Sequence, residues 1–291
     1  MKISILTSIA LGFLLVSCGN DNENEINKTD ESTIELQSNT EQETIEKEPV
    51  VEFQNKGHEL VYAMVQKVGN YSKMLDKKDV VYTYTYEKPD GKKDISIEKY
   101  VFDEQFSYGS YEQNGNTFPQ LKGTIEQGFD GDEFWMKLDG QVLADEKMLK
   151  MVAFRRPTNF YWFAMLPKLL DPSVNYEHLG EKTIDAKEYD VVKTSFTSPD
   201  NKPTDIYQLY INKETGLVDQ FLFTVADFGK MDTPNLMKLE YEDVDGILLP
   251  TKRKYKKSTW DAAVENDDNW ILATWSDIKF NNNLSKEDFK K

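Results

Sequence analysis

The pattern that most restricts the fold is a two-residue alternation of side chains that recurs between residues 80 and 280. Segments with this alternation favour β-strands, and turn signals built from Gly, Asn, Asp or Pro separate many of them. The segments are 80–86, 95–101, 105–112, 124–129, 132–138, 189–196, 204–211, 217–225, 236–241, 251–257 and 270–280. Because short turns join consecutive segments, we expect about ten or eleven strands in an antiparallel sheet.

Two segments depart from this alternation and predict helices. Apolar side chains recur at helical spacing between residues 56 and 76, namely at Leu60, Met64, Val68, Tyr71 and Leu75. Residues 145–170 are also rich in apolar side chains, and Pro157 near their middle predicts a helix, a break and a second helix. The sequence therefore predicts an α+β domain with an N-terminal helix and a central helical insert.

The first residues have the features of a bacterial export signal. Lys2 precedes the apolar run 3–16, which is too short for a membrane span of about 20 residues. The residues at positions 15–17, Leu-Val-Ser, precede Cys18 and resemble the lipobox at which bacterial lipoproteins are acylated and cleaved. We therefore predict a signal peptide over 1–17 and lipidation of Cys18, with an ordinary secretory signal as the alternative.

A strongly acidic segment follows Cys18. Between Gly19 and Glu52 the chain has 11 acidic side chains, two lysines and no aromatic residue. Such a segment cannot bury enough apolar surface to offset the entropy of folding. We therefore predict a disordered acidic tether over 18–52 and one folded domain over 53–291.

The beginning of this tether also bears on location. Residues 20–25 alternate Asn with an acidic residue and resemble the export signal of surface-exposed Bacteroidetes lipoproteins. The predicted location is the outer membrane, to which the N-terminal lipid anchors the protein. The sequence leaves two alternatives for the side on which the domain lies: the cell surface and the periplasmic face.

The composition excludes several function classes. The chain has 291 residues, a formal charge of −16, two histidines and one cysteine. A net negative charge of this size opposes nucleic-acid binding, which requires a basic patch. One cysteine excludes an internal disulfide and a multi-cysteine metal site, and the sequence contains no Gly-x-Ser-x-Gly, His-Glu-x-x-His or glycine-rich phosphate loop. We predict a non-enzymatic protein with no metal, no cofactor and no nucleic-acid partner.

One local exception to this acidity is the basic run 252–257, Lys-Arg-Lys-Tyr-Lys-Lys. Its charges lie on both sides of the tyrosine, as on a solvated edge strand that lysines protect from aggregation. Contact with an anionic membrane or partner is the alternative.

The candidate binding residues lie in the central helical insert. Residues 160–163 are four consecutive aromatic side chains, and a helix apolar on more than one face is buried on both sides or covers a cavity. Methionines supply an adaptable apolar lining, and arginine suits an anionic head group. The candidates are Met148, Met151, Phe154, Arg155, Arg156, Phe160, Trp162, Phe163 and Met165. The alternatives are core packing for the aromatic cluster and a helix end for the arginine pair.

Two strand–turn–strand segments carry a family resemblance. Residues 205–218 place Asn-Lys-Glu-Thr-Gly between two strands, and residues 239–250 combine a strand, an Asp-Gly turn and Leu-Pro. With the lipobox, the tether and the helices, they resemble the LolA/LolB-like lipoprotein-carrier superfamily, in particular its uncharacterised Bacteroidetes lipoproteins. The resemblance implies a strongly curved, unclosed antiparallel half-barrel with an apolar concave face covered by helices. It also implies binding of acyl chains or other hydrophobic ligands, or a role as an envelope sensor.

The sequence therefore predicts a membrane-anchored envelope lipoprotein that binds a hydrophobic ligand, such as a lipid or an acyl chain, in a half-barrel cavity. The alternative is an envelope sensor or protein-interaction module whose concave face is packed shut. The sequence does not identify a protein partner.

Overall fold

The structure, a computed structural model, describes residues 51–198 and 202–291. The signal peptide, Cys18 and nearly all of the acidic tether lie outside these residues, so these interpretations stay predictions. Among the helices that the structure describes, none is long and apolar enough to cross a membrane.

The described residues form one antiparallel sheet of thirteen strands. In chain order the strands are β1 (Asp79–Glu87), β2 (Lys93–Val101), β3 (Ser107–Asn114), β4 (Ile125–Phe129), β5 (Phe134–Leu138), β6 (Gln141–Val142), β7 (Val174–Ile184), β8 (Lys187–Phe196), β9 (Ile206–Asn212), β10 (Val218–Val225), β11 (Lys230–Val244), β12 (Ile247–Lys257) and β13 (Ile271–Phe280). Their order in the sheet is β6, β5, β4, β3, β2, β1, β13, β12, β11, β10, β9, β8, β7. The edge strands β6 and β7 do not pair with each other, so the predicted unclosed antiparallel sheet is confirmed.

Three α-helices pack on one face of this curved sheet, which we call the inner face. They are α1 (Lys56–Val68), α2 (Tyr71–Asp76) and α3 (Glu146–Lys168). Helix α3 connects β6 to β7, the two edge strands, and therefore crosses the inner face. Helix α1 packs on β7, β8 and β12. The predicted α+β class, with an N-terminal helix and a central insert over the sheet, is confirmed.

The predicted N-terminal helix over 56–76 consists of two helices. Gly69 follows α1 with φ of 103°, and the Asn70 side chain accepts a hydrogen bond from the backbone N of Lys73 at the start of α2. The prediction of one helix was wrong here, because apolar residues keep their helical spacing through a break made by the backbone.

The central insert is one helix rather than two. Pro157 lies inside α3 although proline removes a backbone donor and crowds the preceding turn. Its ring is exposed, whereas Val152 before it and Phe160 after it are both buried. Packing on both sides of the proline keeps the helix continuous. The predicted break was therefore wrong, and Arg155 and Arg156 do not end a helix.

The sheet has two strands beyond the eleven segments that the alternation predicted. Strand β6 has only two residues, too few for a pattern. Strand β7 buries Val174 and Tyr176, and its other residues are half-buried or exposed, which fits its place at a sheet edge. Neither strand carries a clear apolar signal.

The basic run 252–257 lies on a central strand, which corrects the prediction of an edge strand. Strand β12 pairs with β11 on one side and β13 on the other. Arg253 points to the inner face and is buried, whereas Lys252 is exposed. Lys254 lies over the Trp270 ring, with Nζ 4.8 Å from the ring centroid. Alternation thus separates the charges of this run onto two faces of the sheet.

The core lies between the inner face and the helices. Helix α1 and the C-terminal part of α3 pack on β7 to β11, and α2 and the middle of α3 pack on β1, β2, β12 and β13. On the outer face, the segment between β12 and β13 packs Trp260 and Trp270 against a smaller apolar cluster. The core therefore buries one side of each helix against the sheet, and another side of α3 lies outside this core.

Candidate ligand-binding site

A cavity of about 1020 Å³ lies between α3 and the inner face of the sheet. Its sheet wall consists of residues from β1 and from β8 to β13, and the segments 203–205 and 226–228 contribute to its edge. Ligand pockets in proteins commonly measure about 300–1000 Å³. The size and the apolar surroundings make this cavity the candidate ligand-binding site.

The helical wall of the cavity is one side of α3. It is formed by Phe154, Arg155, Thr158, Tyr161 and Trp162, together with Pro157 and Asn159. The spacing of the first five brings them onto a common face, since residues three or four apart lie above one another in a helix.

The sheet wall is rich in aromatic side chains. Tyr82, Tyr84 and Tyr86 are alternate residues of β1 and therefore point to the same face. Tyr84 is the register partner of Trp275 on β13. The hydroxyl oxygens of Tyr86 and Tyr255 lie 3.1 Å apart, which joins β1 to β12 across the cavity wall. Phenol rings of this kind present apolar surface with a polar edge.

Burial raises the pKa of these phenols further above the physiological range. Desolvation raises the pKa of Tyr84 to about 12, although the charge of Arg253 opposes the shift. Burial also raises the pKa of Tyr255 well above its ordinary value. The cavity tyrosines are therefore hydrogen-bonding hydroxyls and not anions in the physiological pH range.

The charged residues in the cavity lining are mainly cationic. They are Lys88, Arg155, Arg253, Lys256 and Lys257 against Asp205 and Asp227. Burial raises the pKa of Asp205, and its carboxylate accepts the backbone N–H of Ala226 at 2.7 Å. The lining therefore has a positive balance, five to two, in a chain whose formal charge is −16.

Three of the predicted ligand residues line the cavity. Phe154, Arg155 and Trp162 lie on the helical wall, and Trp162 also packs against the aromatic rings of Phe221 and Phe223. The helix that sequence reasoning selected is thus the helix that covers the cavity, and these three residues remain candidates.

The five apolar candidates outside this group lie elsewhere. Met148 and Met151 pack at the β3 to β5 side of α3, and Phe160 and Phe163 are buried in the core under α3. Met165 packs in the core between α1 and the sheet. These five residues therefore pack against the sheet and do not line the large cavity.

Arg156 forms a buried ion pair and does not face the cavity. Its Nη1 atom lies 2.8 Å from Oε2 of Glu98, and both side chains are fully buried. Ser96 and Tyr100 also donate hydrogen bonds to this carboxylate. Gly109 leaves space for the pair, because a Cβ there would lie 2.7 Å from Nη1 of Arg156. The pair connects α3 to β2.

Sequence reasoning missed the sheet wall of the cavity. The cavity residues Tyr84, Phe223, Arg253, Tyr255 and Trp275 come from four different strands, β1, β10, β12 and β13. The alternation of Thr and Tyr in β1 did signal one aromatic face. Only the strand order, however, determines which of these faces meet and which helix covers them.

The two histidines of the chain contact different neighbours. The His58 ring stacks on Tyr176 with a centroid distance of 4.8 Å, and Nε2 of His178 lies 3.1 Å from Oδ1 of Asp190. Within residues 51–198 and 202–291, no group of three or more His, Cys, Asp or Glu is placed to hold a metal ion.

Comparison with known proteins gives similarities of fold. No protein-family model and no curated protein matches the chain. A DUF1329 family protein from Desulfovibrio piger is 12% identical with a TM-score of 0.47, covering 80% of this chain and 95% of that one. A putative outer membrane lipoprotein-sorting protein domain from Vibrio parahaemolyticus is 11% identical with a TM-score of 0.48, covering 81% and 96%. A LolA superfamily protein from Nitrosomonas europaea is 12% identical with a TM-score of 0.43, covering 77% and 98%. Because these scores are below 0.5, we base no functional argument on them.

Proposed function

We propose that this chain binds a hydrophobic ligand, a lipid or an acyl chain, in the cavity between α3 and the sheet, and that it catalyses no reaction on it. The observation that carries this proposal is the cavity of about 1020 Å³. Its walls combine the aromatic rings of Trp162, Phe223 and Trp275 with a small number of polar groups. This combination is typical of sites that bury an apolar ligand and orient it by a few hydrogen bonds.

The energy of such binding comes from apolar surface that leaves water. Each buried methylene contributes about 0.8 kcal/mol. A fatty acid shortened by two methylenes should therefore lose about 1.6 kcal/mol, or roughly 15-fold in Kd. We expect palmitate to bind more tightly than myristate by about this factor, measured by calorimetric titration. Equal affinities for the two acids would contradict a buried acyl chain.

We test the proposal with the chain that begins at Gly19, because it keeps every residue that the structure describes and lacks the predicted lipidation site. Native mass spectrometry after mild purification should give a population with an added lipid mass. Titration of the delipidated protein should give saturable binding of palmitate or 1-hexadecanol. A bare protein mass together with no binding of either compound would overturn the proposed function and favour a sensor or protein-interaction module.

A matched pair of variants places the ligand in the cavity. Val225 is half-buried in the cavity wall, and Val264 is half-buried against the outer-face cluster. Val225→Asp should abolish ligand binding while far-ultraviolet circular dichroism stays unchanged, because a carboxylate in the wall is costly to desolvate beside an acyl chain. Val264→Asp should bind normally. Equal effects of the two substitutions would refute this location.

We further propose that acylation of Cys18 anchors the protein in the outer membrane, and that it is similar to Bacteroidetes lipoproteins in this respect. The supporting observation is the lipobox-like segment before Cys18. Incorporation of labelled palmitate in cells should disappear with Cys18→Ser. Protease treatment of intact cells should cleave the domain if it lies at the cell surface, and only after outer-membrane rupture if it faces the periplasm.

A further inference from the structure

Arg253 is a buried cation that no carboxylate of the described residues pairs with. Its side chain is 6% exposed on β12, a central strand of the sheet. Within the described residues it has no hydrogen bond and no ion pair, and its Nε is a buried donor without an acceptor. Burial lowers the pKa of Arg253 below its ordinary value, yet arginine stays protonated in proteins. A buried charge of this kind is costly unless something pairs with it.

The other buried arginine provides an internal comparison. Arg156 is fully buried, and Glu98 meets it with two hydrogen bonds of 2.8 and 3.3 Å. That arrangement pairs the charge of Arg156 with a carboxylate of the protein, as expected for a structural ion pair, and leaves only its Nε without an acceptor in the described residues. Arg253 lies in the lining of the large cavity, where the described chain provides no carboxylate for it. Among the described residues, none therefore supplies an anion that complements Arg253.

The surroundings of Arg253 hold the guanidinium in a fixed orientation. Its Cζ lies 3.9 Å from the centroid of the Trp275 ring, so one face of the planar group is stacked. Stacking leaves the edge of the group, with its N–H donors, for a carboxylate or phosphate. Tyr84, which also lines the cavity, has a hydroxyl without a hydrogen-bond partner in the described residues. Both groups lie on strands, which position a binding group more rigidly than loops.

The remaining charges agree with an anionic ligand. Lys88, Arg155 and Lys257 add positive charge to the lining, whereas Lys256 is engaged by Asn266 and by the backbone of Asp268. The carboxylate of Asp205 accepts hydrogen bonds from the 224–226 segment. Asp227 is the second acid of the lining and is exposed. The excess of positive over negative side chains in the lining therefore favours entry of an anionic ligand.

We infer that Arg253 binds the anionic head group, a carboxylate or a phosphate monoester, of an amphiphile whose apolar chain occupies the cavity. This inference rests on the proposed function and adds a ligand class to it. A neutral amphiphile would leave the guanidinium unpaired, so the site discriminates by the head group and not by the chain alone.

The experiment compares three ligands with the same hydrocarbon chain: palmitate, hexadecyl phosphate and 1-hexadecanol. The chain beginning at Gly19 should bind at least one of the two anions about tenfold more tightly than the alcohol, because hydrogen bonds to charged groups are the stronger ones. Arg253→Met should remove this preference and leave hexadecanol affinity within about twofold. Lys252→Met, at an exposed residue of the same strand that does not line the cavity, is the matched control and should keep the preference.

The possible outcomes separate the inference from the proposed function. Tight binding of the alcohol with no preference for either anion overturns the head-group inference and leaves the cavity function intact. A preference that persists in Arg253→Met also overturns it. Failure of all three ligands to bind overturns both. The ratio of the palmitate and hexadecyl phosphate affinities distinguishes a fatty-acid source from a phosphate-lipid source.

A second measurement avoids dependence on the variant. The chain has only three arginines, so arginine-selective ¹⁵N labelling gives few side-chain signals. Addition of the preferred anion should shift the Nε–H signal of Arg253, and hexadecanol should shift it less. The Nε–H signal of Arg156 should stay unchanged because Arg156 does not line the cavity and its Nη atoms are paired with Glu98. An unmoved Arg253 signal at saturating anion would contradict the inference.

Discussion

Replacement of Arg156 by Met tests how α3 is held over the sheet. In the native protein the Arg156 guanidinium and the Glu98 carboxylate are both fully buried and joined by two hydrogen bonds. Arg156→Met keeps an unbranched apolar stem but removes the charge. Glu98 then remains buried with only the hydroxyl donors of Ser96 and Tyr100. An uncompensated buried carboxylate is the main source of the expected destabilisation.

The magnitude follows from the complete burial of the pair. Removal of one partner of a buried ion pair costs about 3–5 kcal/mol. For a domain of roughly 150–250 residues, each kcal/mol lowers Tm by about 2–4 °C. We therefore expect Tm to fall by about 6–20 °C. Arg155→Met is the matched control, because Arg155 is the adjacent residue, lines the cavity and has no ion pair in the described residues. Its free energy of unfolding should change by no more than about 0.5 kcal/mol.

Urea unfolding followed by circular dichroism measures both variants, with the free energy extrapolated to water. The double variant Arg156→Met, Glu98→Gln should recover about 1 kcal/mol or more of the loss, because the amide no longer carries the unpaired charge. A loss below about 1 kcal/mol for Arg156→Met, or equal losses for the two arginine variants, would refute the reasoning.

Three further predictions concern stability. Gly128→Ala should cost about 1–3 kcal/mol in urea unfolding, because a Cβ at this position would lie 2.5 Å from the buried Trp135 ring; an unchanged midpoint would contradict this packing. Asn55→Ala should lower the free energy of unfolding by about 1–2 kcal/mol, since the Asn55 side chain caps α1 and donates to the carbonyl oxygen of Tyr176 at 2.9 Å. A loss no larger than that caused by an alanine substitution at an exposed surface position would argue against this. Burial raises the pKa of Tyr84 and of Tyr176 to about 12, above the ordinary value of 10.0, so these phenols favour the folded state fully below pH 10 and lose this contribution as pH rises towards 12. Tyrosinate absorbance and circular dichroism should therefore change together in alkali, and ionisation of all tyrosines near pH 10 without unfolding would contradict the burial.

The alternation of residues was sufficient to predict most of the sheet. Each of the eleven alternating segments overlaps one observed strand, because side chains on a half-buried strand have to alternate between two environments. The edge strands β6 and β7 escaped this reasoning because one is very short and the other has few buried apolar residues. The break at Gly69 and the continuous helix through Pro157 both depend on tertiary contacts that local spacing does not report.

The candidate site was predictable only in part for the same reason. Phe154, Arg155 and Trp162 belong to one helix, and their apolar and cationic character indicated a wall of a binding site. Arg156 is adjacent in sequence but lies on the opposite side of the helix, where it meets Glu98. Arg253 lies in a run of lysines that resembles a solvated strand. Its burial follows from its place on the inner face of β12, a central strand, which the sequence pattern alone does not reveal.

The most direct test of the account is a crystal structure of the chain beginning at Gly19 with palmitate bound. The account predicts continuous density for the hydrocarbon chain between α3 and the inner face, in contact with Trp162 and Phe223, and the carboxylate within hydrogen-bond distance of the Arg253 guanidinium. An empty cavity at saturating palmitate, or palmitate bound only on the outer face of the sheet, would contradict the central claim that this cavity is a ligand-binding site.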